Sequence, residues 1–146
     1  MRRRARWPAA WIALLLPLAA AAQGQWSGSL VAASDERFRG RSLTGEHPSL
    51  RATLAWDHAS GLYGGGSIAN ASFGGRAQAV LVGYGGASGA LGDGLRWDAG
   101  LTAWAYPREP EYDYAEASLG VLGERWGLRL SYSPDYYGVG GATLYA

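Results

Sequence analysis

The chain has 146 residues, with 13 arginines and no lysine against 12 acidic residues, and it contains no cysteine. The absent thiols exclude disulfides and thiolate metal sites, and the near-balanced charge leaves no basic footprint for nucleic acid. Its 23 glycines punctuate short alternating runs, a pattern of hairpins rather than of helices.

Residues 1–22 open with Arg2, Arg3, Arg4 and Arg6, continue through an apolar run and end in the small residues Ala19 to Ala22. This is the layout of a secretory signal peptide with cleavage after Ala22. The apolar run is shorter than the ~20 residues of a spanning helix, and Pro8 and Pro17 interrupt it. Residues 23–146 then form one domain, in which nine arginines face twelve acids.

The first strand is predicted over 25–35, with a continuation through 41. That continuation holds Arg37, Arg39 and Arg41 at every second position, which on one strand places them on one face, ~6–7 Å apart. A second strand over 49–57 sets Leu50, Ala52, Leu54 and Trp56 against Arg51, Thr53, Ala55 and Asp57, before the tight turn "HASG". The third and fourth, over 61–70 and 76–85, are built mostly of Gly, Ala and Ser and show no clear face. They are joined by "NASFGG" and followed by "GGASGALGDG", which reads as a long connection.

The fifth strand, 94–106, puts Leu95, Trp97, Ala99, Leu101 and Ala103 opposite Arg96, Asp98, Gly100, Thr102, Trp104 and Tyr106. After "PREPEY", the sixth, 112–122, sets Ala115, Ala117, Leu119 and Val121 against Tyr112, Tyr114, Glu116, Ser118 and Gly120. The seventh, 125–133, sets Trp126, Leu128, Leu130 and Tyr132 against Arg125, Gly127, Arg129 and Ser131. "SPDYYGVGG" follows, and "ATLYA" begins an eighth strand.

Period-2 alternation is shared by soluble barrels, apolar inside, and membrane barrels, apolar outside. The export signal, the alternation of short turns with longer loops and the aromatics near strand ends favour the membrane. Trp26, Trp56, Tyr63, Tyr84, Tyr106, Tyr112, Tyr132, Tyr136 and Tyr137 are expected in girdles at headgroup level. The expectation is an all-β fold: an antiparallel up-and-down transmembrane β-barrel, or an incomplete part of one.

A loop centred on 44–46 would place Arg39 across from Arg51 and Arg37 across from Thr53, with odd positions facing the lumen and Trp26, Leu30, Leu54 and Trp56 facing lipid. The candidate lumen and mouth charges are therefore Arg37, Arg39, Arg41, Arg51, Asp57, Arg96, Asp98, Glu116 and Arg129. The only histidines, His47 and His58, sit on turns beside Ser42 and Ser60, and no ligand spacing surrounds them. Neither an enzyme, a metal nor a cofactor is expected.

Two motifs carry a family resemblance. "SDERFRG" supplies Ser34, Asp35, Phe38, Arg39 and Gly40, and "YSPDYYG" supplies Tyr132, Ser133, Pro134, Asp135, Tyr136, Tyr137 and Gly138. In this order, with tyrosine-rich hairpins between them, they resemble elements of the TorF-family porins of bacterial outer membranes, over 30–146. The resemblance implies export to the outer membrane and a passive channel for small hydrophilic solutes. The implied partners are outer-membrane lipids, lipopolysaccharide and the barrel-insertion machinery. A non-conducting outer-membrane barrel with an anchor or assembly role is the alternative, and a soluble periplasmic β-barrel is a further one.

Overall fold

The computed structural model describes residues 12–21, 24–38, 41–73, 76–138 and 140–146. Nine strands form one sheet: β1 (Ile12–Ala21), β2 (Gly24–Ala33), β5 (Ser49–His58), β6 (Leu62–Phe73), β7 (Arg76–Gly92), β8 (Leu95–Ala105), β9 (Tyr114–Leu122), β10 (Gly127–Ser133) and β11 (Thr143–Tyr145). A separate small hairpin pairs β3 (Arg37–Phe38) with β4 (Arg41–Ser42). In the main sheet each strand pairs antiparallel with the next along the chain, an up-and-down meander. Among the described residues β1 and β11 are its unpaired ends, so the sheet is open, and the only helical elements are 3-10 turns at Pro110–Tyr112 and Tyr136–Gly138.

Pairing fixes the faces, because side chains alternate along each strand. One cross-sheet row runs Leu54–Gly66–Gly83–Ala103–Ala115, and another runs Leu101–Ala117–Tyr132–Leu144. The exposed residues Leu30, Leu54, Ile68, Leu81, Leu101, Leu119, Leu128, Leu130 and Leu144 all fall on this face. The opposite face carries the buried Ser49, Asp98, Glu116, Ser131 and Ser133. The polar face of the sheet is therefore the more covered one and the apolar face the more exposed one. The alternation read from β5, β8, β9 and β10 is correct in parity.

Three expectations change. β2 ends at Ala33 rather than continuing through 41, so positions 37 and 41 belong to different strands of a small hairpin and the single-strand arginine row does not form. Arg51 pairs with Val31 and Thr53 with Ser29, not with Arg39 and Arg37. The slip is an even number of residues, so Arg51 stays on the face assigned to it. Third, β7 runs on to Gly92 through "GGASGALG", paired along β8, and the connection shrinks to a turn at Asp93 and Gly94. Likewise most of "NASFGG" is strand, with Phe73 paired to Arg76. Small residues gave no alternation to read there; hydrogen bonds to β8 and between β6 and β7 extend these strands.

The tight turns after β5, β7 and β9 now share one end of the sheet, and the longer 34–48, 106–113 and 134–142 segments share the other. Residues 12–21 pair along β2 as an edge strand, Ile12 with Ala32 through Leu18 with Trp26.

Candidate functional site: the enclosed polar face

At the long-loop end the chain leaves β2 and folds back over the enclosed face. Asp35 organises the fold-back: its Oδ1 accepts the hydroxyls of Ser42 at 2.5 Å and Thr44 at 2.8 Å, and the Arg37 Nε lies 2.7 Å from its Oδ2. The Ser42 hydrogen bond, followed by Thr44 and the Arg37 charge, holds the Asp35 carboxyl below its ordinary range, although burial acts the other way. Thr44 also accepts the Glu36 amide at 3.1 Å, and Leu43 donates to the Glu36 carbonyl at 2.6 Å. Glu36 turns inward to Arg51 and accepts the Ser49 hydroxyl at 3.3 Å. A hydrogen bond from the Ser72 amide to the Leu43 carbonyl ties this loop to β6.

Leu43 enters a cluster with Ala71, Val80, Tyr106 and Tyr114, and Trp104, Tyr136 and Tyr137 pack against it. Trp104 and Tyr114 stack with centroids 4.6 Å apart and planes 4° from parallel, and Tyr137 lies 4.8 Å from Tyr114. Burial pushes the Tyr106 phenol up from its ordinary value. The loop that follows "SDERFRG" thus meets "YSPDYYG" at one end of this face, through Leu43. "YSPDYYG" works as a tight corner: Ser133 is buried, Asp135 accepts the Gly140 amide at 2.8 Å, and Tyr137 and Gly138 both take left-handed φ, 55° and 61°. Of "SDERFRG", Ser34 is an exposed bend and Asp35 the hub. Arg39 and Gly40 lie outside the described residues, and only the backbone of Phe38 and Arg41 is described.

Farther along the sheet, Asp98 is buried and receives two long side chains from opposite directions. The Tyr63 hydroxyl reaches Oδ2 at 2.7 Å from β6, and Arg129 Nη2 reaches Oδ1 at 2.6 Å from β10. The intervening strands present glycines along these routes. A Cβ on Gly86 would stand 2.5 Å from the Tyr63 hydroxyl, and one on Gly100 2.7 Å from it. Gly120, paired with both Asp98 and Arg129, lies under the arginine stem. Tyr84 lies over Gly65 in the same way, 2.6 Å from where a Cβ would be. The glycines let large polar side chains lie flat along the wall. Replacing Gly100 with valine is expected to lift Tyr63 from Asp98 and cost about 1–3 kcal/mol of overpacking. Urea unfolding in detergent measures this, and Tyr63→Phe should add little in the Gly100→Val background, because the bond is already broken.

Of the remaining candidates, Glu116 is buried and accepts the Tyr145 hydroxyl at 2.6 Å. Asp57 and Arg96 are exposed near the short-turn end. Ser42 is committed to Asp35, at the opposite end of β5 from His58, which bonds Ser60 at 2.7 Å within its own exposed turn. The girdle expectation is corrected in part. Trp26, Trp56, Tyr112 and Tyr132 are outside the enclosed face, whereas Tyr63, Tyr84, Tyr106, Tyr136 and Tyr137 are on it or packed over it. Position parity settles this for Tyr63 and Tyr84, and it was hidden by the featureless third and fourth strands. The Tyr63–Asp98–Arg129 connection was equally invisible, since its members are far apart in sequence.

Fold and site together define a class: an open antiparallel meander whose more covered face is polar and whose more exposed face is apolar. Residues 19–144 match the family model described as bacterial protein of unknown function (Gcw_chp), and the chain belongs to that family. No curated protein and no solved structure matches it.

Proposed function

We propose that this protein is an outer-membrane β-barrel protein, exported by residues 1–22 and inserted as a passive channel for small hydrophilic solutes. The observation that carries the reading is the distribution of burial: leucines cover the outer face, while Asp98, Glu116, Ser131 and Ser133 are enclosed. In water this arrangement exposes what it should hide; in lipid it meets the requirement of a membrane barrel.

The tryptophans add support. Trp26, Trp56 and Trp97 lie on the outer face within the last turns of their strands toward the short-turn end, and exposed Trp126 stands just before β10. This is the place of an interfacial aromatic belt on the periplasmic side. Removal of 1–22 leaves the eight strands β2 and β5–β11, and in a bilayer their free edges must be paired to satisfy backbone groups. The TorF-porin resemblance adds the transport role.

The expected result is recovery in the outer-membrane fraction, heat-modifiable migration, β-rich circular dichroism in detergent and single-channel steps in planar bilayers. Recovery as a soluble periplasmic monomer overturns the reading. A non-conducting barrel is the second reading, favoured by Tyr106, Tyr114, Tyr136 and Tyr137 packed across the long-loop end. Correct insertion with no conductance selects it.

A further inference from the structure

At three arginines the nearest paired carboxylate is more covered than the arginine itself. The side chain of Arg37 is 55% exposed over Asp35 at 14%, that of Arg51 35% over Glu36 at 10%, and that of Arg129 57% over Asp98 at 12%. Neighbouring hydroxyls also donate to these acids. Ser42 and Thr44 donate to Asp35, Ser49 to Glu36 and Tyr63 to Asp98. A guanidinium carries five N–H donors, and at Arg51 and Arg129 one contact to a carboxylate leaves several of them for a further acceptor, whereas Arg37 also reaches Glu46. Each pair is neutral in sum, yet it is oriented: the carboxylate is the more covered end and the guanidinium the more exposed one.

Glu116 follows the same rule, buried and covered by the Tyr145 hydroxyl. Among the described side chains the exceptions are Asp57 and Arg96, both exposed near the short-turn end and of opposite sign. Arg51 lies next to the row that reaches Ala105 of β8, and Arg129 shares a row with Asp98. At ~3.3 Å per residue the two cations stand roughly 25 Å apart along the strands, one near each end.

We propose that this face is selective for small oxyanions of the carboxylate and phosphate class, with Arg51 and Arg129 as the specificity-determining residues and Asp98 as the group that positions Arg129. Planar N–H forks match oxyanions in geometry and charge, and fixed positive charge in a confined low-dielectric space concentrates anions. Two such stations, each softened by its own carboxylate, attract an anion without trapping it. For transport the proposal rests on the channel reading above.

The test uses the chain refolded in detergent, in two arms. In planar bilayers under a KCl gradient, the reversal potential is expected to show chloride permeating faster than potassium. Arg51→Gln and Arg129→Gln should each lower the chloride-to-potassium ratio by at least about twofold, most strongly at low salt where screening is weak. Asp98→Asn keeps a wall acceptor for Tyr63 and removes the underlying charge, so it should raise the ratio. Cation preference, or no response to all three substitutions, overturns the proposal while leaving the channel reading intact.

The second arm does not need conduction. Phenylglyoxal labelling, read residue by residue by mass spectrometry, is compared in inorganic phosphate and in KCl of equal ionic strength. Phosphate should slow labelling of Arg51 and Arg129 but not of Arg125 in the exposed 123–126 turn. Equal protection of all three, or of none, overturns the proposal. Selective protection without conductance sustains the oxyanion site and rejects the channel.

Discussion

Leu101→Arg is expected to prevent or sharply slow insertion into lipid vesicles, with stability falling by about 2–4 kcal/mol for a charge near mid-membrane on the lipid face, while Leu128→Arg, in the same row as Trp97 near the interface, should cost only about 0–1 kcal/mol. Both leucines are among the most exposed side chains, on the outer face of β8 and β10. Thr102→Arg, one residue along β8 and turned inward, pairs across from Glu116 and is expected to insert normally, because water and a carboxylate can receive the new charge. Ser131 is the poorer inward control, since it is already buried. The measurement is the gel shift of the folded form after mixing with vesicles, set against urea unfolding of whatever inserts. If Thr102→Arg fails while Leu101→Arg folds, the enclosed face is a dry core and the soluble barrel becomes the better description.

Gly138→Val should disrupt the long-loop end while sparing the strands. The residue has φ of 61°, and a Cβ there would run into the backbone carbonyl oxygen of Glu111. A β-branched side chain in the left-handed region costs about 1–3 kcal/mol, and overpacking against a fixed carbonyl adds a comparable amount. Because Tyr136 and Tyr137 reach the aromatic cluster through this corner, their release should raise tyrosine accessibility and protease cutting within 134–141. Far-ultraviolet circular dichroism, reporting β2 and β5–β10, should change little. If conductance can be recorded, losing the tyrosines from the mouth should increase it. Unaltered protease resistance at this corner would show that the contact with Glu111 is dispensable.

The sequence by itself determined the strands with strong alternation and the side of the sheet each residue takes. Leu101 against Thr102 and Leu128 against Arg129 could be sorted by period alone, since a pleated strand has only two faces and apolar residues gather on one. It also marked "SPDYYGVGG", with Gly138, as a loop, whereas Asp35, read as the end of the first strand, lies in the bend beyond it.

Only the tertiary structure decided the rest. Register between β2 and β5 depends on how the 34–48 loop folds, and the hydroxyls of Ser42 and Thr44 on Asp35 close it in a way strand pattern cannot encode. β7 gains its full length from hydrogen bonds to β8, because a Gly-Ala-Ser tract has no side-chain period to announce a strand. Tyr63 reads as a strand-end aromatic suited to a girdle until pairing places Gly86 and Gly100 beneath it and Asp98 at the far end of its reach. The burial of acids beneath arginines is likewise a product of pairing, since Asp98 and Arg129 become neighbours only when Gly120 lies between them. Alternation is a local property carried by one strand; register and cross-strand reach belong to the sheet, and they exist only after several strands have chosen one another.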